Sequence, residues 1–157
     1  MSITASQVKE LREMTGVGMM ECKKALVETD GDLEMAVDLL RANSSLKAEK
    51  KASRVAADGE VKIAEHSEYT SLVEINSETD FAAKDSQFKD FANDVAEYLA
   101  SNQVNDIADL NSAFEEKRQS LIQSIGENIQ LRRLETLEVP SGGCIGSYVH
   151  SDGRLAA

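Results

Sequence analysis

Asp80 and Phe81, in the run Ser77-Glu78-Thr79-Asp80-Phe81-Ala82-Ala83-Lys84-Asp85, are the residues of this chain whose types and spacing most invite a chemical role. A carboxylate stands beside a large aromatic, and Ala82 and Ala83 are too small to shield the ring. The strand-like run Leu72-Val73-Glu74-Ile75 precedes the segment, and a helix pattern begins near Ser86. The stretch therefore reads as a turn between a strand and a helix. The other three phenylalanines, Phe88, Phe91 and Phe114, fall at helical core spacing. Phe81 is either a plug closing the core beneath the turn or a wedge offered to something else.

Catalytic constellations are absent from the sequence. The histidines are His66 and His150 alone, and His66 falls in a predicted hairpin turn among carboxylates. No HExxH, Ser/His/Asp order or cysteine ligand set is present. The glycines form neither GxxxxGK[ST] nor GxGxxG, and Gly16-Val17-Gly18 reads as a helix–helix turn. Asp30-Gly31-Asp32-Leu33-Glu34 has the wrong length and spacing for a calcium loop, and Asp32 is better placed as a helix cap. These absences predict no active site, no metal, no cofactor and no small-molecule substrate, which leaves binding as the expected class.

The 157 residues are 29% charged and 41% hydrophobic, ordinary for a globular chain, with a net charge of −11. Residues 1–54 balance nine Lys/Arg against nine Asp/Glu, so the acidic excess lies in residues 55–157. An acidic main body repels phosphate backbones and argues against nucleic-acid binding. No apolar run reaches membrane-spanning length, and the N-terminus has neither a signal-peptide nor a transit-peptide pattern. Cys22 and Cys144 lie among apolar neighbours without ligand or redox spacing, which predicts reduced, structural thiols of a cytoplasmic protein.

The elements that position these residues divide in two. Ile3-Thr4-Ala5-Ser6-Gln7-Val8 is a complete helix start, with a Thr4/Gln7 capping box and Ile3 packing on Val8. That helix runs through Val8, Leu11 and Met14. A second, from about Met19, places Met19, Cys22, Ala25 and Leu26 on one face. A third, from Asp32, carries Leu33, Ala36, Val37 and Leu40. Residues 1–43 thus read as a three-helix bundle. Residues 44–58 read as a separate connecting helix ending at Gly59. Lys47, Lys51 and Arg54, joined by Lys50, form its basic stripe, which meets an acidic surface or is simply solvated.

Residues 59–157 read as an α+β body. Glu60 to Ile63 and Tyr69 to Asn76 are predicted strands, joined by a turn at His66-Ser67-Glu68. A helix from Ser86 carries Phe88, Phe91, Ala92, Val95, Ala96 and Leu99. Another, from a capping box at Ser112, carries Phe114, Leu121, Ile122 and Ile125 and stops at Gly126. Strands are expected over Ile129 to Val139 and Cys144 to Val149, on either side of Pro140-Ser141-Gly142-Gly143. The order ββααββ predicts a small antiparallel sheet covered by a helical hairpin. Arg154-Leu155 reads as a strand begun and not completed, so the body is expected to be truncated at its C-terminus.

Residues 1–43 resemble the ubiquitin-associated class of three-helix domains, whose first loop presents glycine and a bulky apolar residue to a partner. Val17 and Met20 fall in that position. Met20 lies off the core stripe and either meets a partner or caps the little core, and Lys23 and Lys24 lie on the outer side of the same helix. More specifically, Leu11 through Leu26 (LREMTGVGMMECKKAL) resembles the N-terminal signature of the bacterial translation elongation factor Ts family. Glu74 through Lys84 (EINSETDFAAK) resembles its second signature, and Ala56-Ala57-Asp58-Gly59 and Ile125-Gly126-Glu127-Asn128 are also similar to that family.

The resemblance implies a guanine-nucleotide exchange factor that binds elongation factor Tu carrying GDP. The helical module would dock on the GTPase domain, with Val17, Met19, Met20 and Lys23 at the contact. Thr79, Asp80, Phe81 and Ala82 would disturb the magnesium and phosphate site. Ile125, Gly126 and His150 would line the same surface. With the resemblance, Phe81 reads as the wedge. Ala82 stands where the family usually has Val, a loss of up to about 1.5 kcal/mol of support if the site is buried. The family also continues through a second core subdomain, a helical hairpin and a C-terminal segment, so weaker affinity and partial exchange are expected. A different class of reading is a binding or scaffold module for the same GTPase with little exchange activity.

Overall fold

Thr4 begins the first helix as its residue type requires: its hydroxyl accepts the Gln7 amide and Gln7 Oε1 accepts the Thr4 amide at 3.0 Å. In the computed structural model, which describes residues 3–157, this helix, α1, is Ala5–Thr15. It ends at Gly16, whose φ of 68° supplies the left-handed conformation that closes its last turn. Helix α2 is Met19–Glu28, and α3 is Leu33–Lys51, capped by Asp32, which accepts the Met35 amide at 2.9 Å. Strands β1 (Asp58–Glu65) and β2 (Tyr69–Ser77) follow. Then come helices α4 (Asp80–Lys84), α5 (Ser86–Ser101) and α6 (Ile107–Ile125), and strand β3 (Gln130–Glu138). The described residues thus form an α+β protein with six helices and one three-stranded antiparallel sheet, in the order β1-β2-β3.

Two compact units result. One comprises the residues up to Ser53 with Gln119–Gly126, and the other comprises Arg54–Arg118 with Glu127–Ala157. In the first, Val8, Leu11, Val17, Cys22, Ala25, Leu26, Ala36 and Leu40 make the core. Here α3 departs from expectation. Ser44, read as the start of a separate connecting helix over 44–58, is buried inside α3, where its hydroxyl donates to Leu40 O at 2.9 Å. A hydroxyl that bonds back to the preceding turn does not cap a new helix. The basic stripe is engaged rather than merely solvated: Lys47 pairs with Glu21, Lys51 donates to Gly126 O, and Arg54 lies 3.5 Å from Glu78.

In the second unit α4 and α5 pack on β1 and β2. Phe88, Phe91, Ala92, Val95 and Leu99 of α5 are buried, each large side chain contributing roughly 1.5–3 kcal/mol. Phe91 and Tyr98 meet Phe114 of α6 edge to face. Gly59 does not end a helix. It lies in β1 opposite Asn76 with φ 137°, and a Cβ there would fall 2.1 Å from Ile75 O.

Helix α6 starts at Ile107, five residues before the capping box read at Ser112. Asp106 caps it by accepting the Ala108 amide, and the Ser112 hydroxyl bonds back to Ala108 O. The expected strand over Cys144 to Val149 is absent, leaving one bridge between Val149 and Ala156. Residues 141–150 have no buried side chain to fix a register, and Gly142, Gly143 and Gly146 weaken pairing further. Cys144, expected to be structural, is exposed, whereas Cys22 is buried. No described helix is long and apolar enough to cross a membrane.

Candidate functional site

Thr79 organises the segment around Phe81. Its hydroxyl accepts the Ala82 amide at 3.3 Å and its carbonyl accepts the Ala83 amide at 3.2 Å. The expected turn is therefore a capped five-residue helix, α4, rather than an open loop. Asp85 accepts the Gln87 amide at 2.8 Å and starts α5 directly afterwards. Ala82 and Ala83 face inward at 4% and 7% exposure, and Phe81 is 81% exposed. The ring is no plug: it stands exposed while Phe88, Phe91 and Phe114 are buried in the core.

Asp80 pairs with Lys84 one turn along, at 2.7 Å. The hydrogen bond from Lys84 holds the Asp80 carboxyl below its ordinary value, outweighing slight desolvation. The presented surface is thus a carboxylate, ionised at neutral pH, beside a bare aromatic ring.

Two clasps, unread in the sequence, hold the head of this segment. Glu127 accepts the Thr79 amide at 3.0 Å and the Thr79 hydroxyl at 2.7 Å. In the opposite sense, Glu78 accepts the Asn128 amide at 2.7 Å, and Asn128 Nδ2 donates to Arg54 O at 2.8 Å. A separation of 48 residues leaves no periodic signal for such a pairing. The only hint is that Glu127 and Asn128 belong to the quoted Ile125–Asn128 segment.

In the helical unit Met19 and Met20 are 49% and 69% exposed at the start of α2, with Lys23 exposed beside them. Val17 differs from the expectation of a presented residue. It is 2% exposed, and Cys22 Sγ donates to its carbonyl at 3.4 Å. Ile125 is half-buried at the end of α6, and Gly126, with φ 89°, closes that helix. His150 is exposed in the second unit, its Nδ1 2.9 Å from the Tyr148 hydroxyl. Asp80 and Phe81 are thus neighbours on one capped turn, and Met19, Met20 and Lys23 are exposed together at the start of α2. Among the described residues no group of His, Cys, Asp or Glu side chains could hold a metal ion.

Residues 78–157 match the family model described as Elongation factor TS. The chain is 54% identical over 159 residues to Elongation factor Ts of Teredinibacter turnerae, covering 99% of this chain and 54% of that protein. It is 51% identical over 160 residues to Elongation factor Ts of Thioalkalivibrio sulfidiphilus, covering 97% and 55% respectively. With Elongation factor Ts of Haemophilus ducreyi the identity is 53% over 148 residues, covering 94% and 51%. The chain spans about half the length of the curated relatives it matches.

Proposed function

This chain belongs to the elongation factor Ts family, and from that premise we propose that it binds elongation factor Tu carrying GDP and promotes release of the nucleotide. Residues α1 to α3 act as a ubiquitin-associated-like module docking on the GTPase domain through Met19, Met20 and Lys23, with Val17 supporting the loop from inside. Thr79, Asp80, Phe81 and Ala82 form the element that disturbs the partner's magnesium and phosphate site. Ile125, Gly126 and His150 add contacts. Such a role belongs to the cytoplasm and needs no bond-making step by this chain.

The observation that carries the reading is Phe81, 81% exposed on a helix whose next two residues are buried. An exchange factor need only bind the nucleotide-free conformation better than the nucleotide-bound one. The coupling is reciprocal, so the factor weakens nucleotide binding as much as nucleotide weakens the factor. Burying one phenylalanine is worth roughly 1.5–3 kcal/mol, less than the phosphate and magnesium contacts it opposes. Docking elsewhere must therefore hold the wedge in place, and Asp80 adds repulsion against phosphate.

Release of labelled GDP from elongation factor Tu, followed with and without this chain, tests the reading. Accelerated release is expected. Complex formation without acceleration would instead establish a scaffold, and no complex at all would remove the proposed role.

A further inference from the structure

We propose that Glu127 is a positioning residue for Phe81, acting through Thr79, an inference whose kinetic consequence rests on the exchange reading above. Helix α4 has five residues, too few to persist on their own. Its geometry depends on what holds its first turn. Thr79 has one hydroxyl proton and two lone pairs. Glu127 Oε1 takes the proton at 2.7 Å, which turns a lone pair toward the Ala82 amide, 3.3 Å away. Glu127 Oε2 takes the Thr79 amide at 3.0 Å, so both polar atoms at the head of the turn end on one carboxylate. Bonds to a charged acceptor are the stronger class.

The reciprocal bond from the Asn128 amide to Glu78 at 2.7 Å pins the neighbouring residue of each segment. A wedge transmits docking force only if its base does not yield. The clasp supplies that stiffness while leaving Phe81 itself uncovered.

The test compares Glu127→Ala and Glu127→Gln with the unaltered chain. Amide hydrogen exchange at Ala82 and Ala83 is expected to accelerate about tenfold in E127A and less in E127Q, which keeps one acceptor oxygen. The melting temperature should fall by only about 3–5 °C, the shift that a tenfold loss corresponds to in a chain of this size. In GDP release from elongation factor Tu, the maximal rate should fall about tenfold while the half-saturating concentration moves less than twofold.

Unchanged exchange at Ala82 in E127A would overturn the proposal. So would a raised half-saturating concentration at an unaltered maximal rate, which would make Glu127 a partner contact. If E127A does not fold, E127Q carries the same measurements. Phe81→Ala is the control: if it leaves release unaltered, Phe81 is not the wedge, while amide exchange still decides what Glu127 does.

Discussion

At the scale of single residues, exposure separates Phe81 from the other aromatic rings. Because it is 81% exposed, Phe81→Ala should change folding stability by less than about 0.5 kcal/mol. Its effect should appear in GDP release, slowed roughly tenfold to a hundredfold if the ring contributes 1.5–3 kcal/mol in the complex. Stopped-flow release at saturating chain checks this, and a rate near that of the unaltered chain would remove Phe81 from the mechanism. The two thiols should differ as sharply. Burial pushes the Cys22 thiol up, against an opposing hydrogen bond from Thr15, and its side chain is fully enclosed. Cys144 is exposed. One thiol should react with a colorimetric disulfide reagent at once, and the second only on unfolding. Two fast equivalents would contradict the burial of Cys22.

At the scale of elements, two glycines with left-handed backbones carry different loads. Gly16 closes α1 with φ 68° and has nothing within 4 Å of where a Cβ would sit. Gly16→Ala therefore meets only the backbone penalty, about 1–2 kcal/mol. Gly59 lies in the β1–β2 ladder with Ile75 O 2.1 Å from the Cβ position and Asn76 Cα at 2.7 Å. Gly59→Ala must push the two strands apart and should cost about 3 kcal/mol. Urea unfolding of both variants checks the order, and equal losses would contradict the close approach of the strands. The sequence placed Gly59 at the end of a helix because a glycine after a helical run is a common stop. The cross-strand partner that explains it lies seventeen residues further on.

At the scale of the whole molecule, three carboxylates make acid the vulnerable direction. Glu21 is raised by burial, but hydrogen bonds from Lys47 and Gln123 outweigh this and lower its pKa. Glu74 behaves likewise, with Arg133 and Asn76 as the bonding partners. Asp80 is lowered chiefly by Lys84. A carboxyl whose folded pKa lies below its unfolded one stabilises the fold above the unfolded value, and that stability is lost as pH falls through the folded value. The contributions should be complete at neutral pH and decline below 4.5 for the two glutamates and below 3.8 for Asp80. Glu21 lies in the first unit, Glu74 and Asp80 in the second, so both should weaken. Urea midpoints across this range check the sign, and a midpoint that rises on acidification would contradict it.

The capping box at Thr4 and Gln7, the Asp32 cap and the apolar stripe of α5 were legible in the sequence, because each is set by residues within a turn or two of one another. So was the presence of Asp80 beside Phe81. What the tertiary structure alone decided is non-local. Ser44 extends α3 instead of starting a new helix, since it is buried and bonds to the preceding turn. Val17 turns inward because the three-helix core needs its volume. No strand forms over Cys144 to Val149, where no face is buried to fix one. Phe81 stays outside while the other phenylalanines are buried, and Glu127 and Asn128 clamp its turn from sequence-distant positions. Local pattern encodes the caps and the apolar stripes. Which face an element buries and what braces it depend on partners that chain order does not reveal.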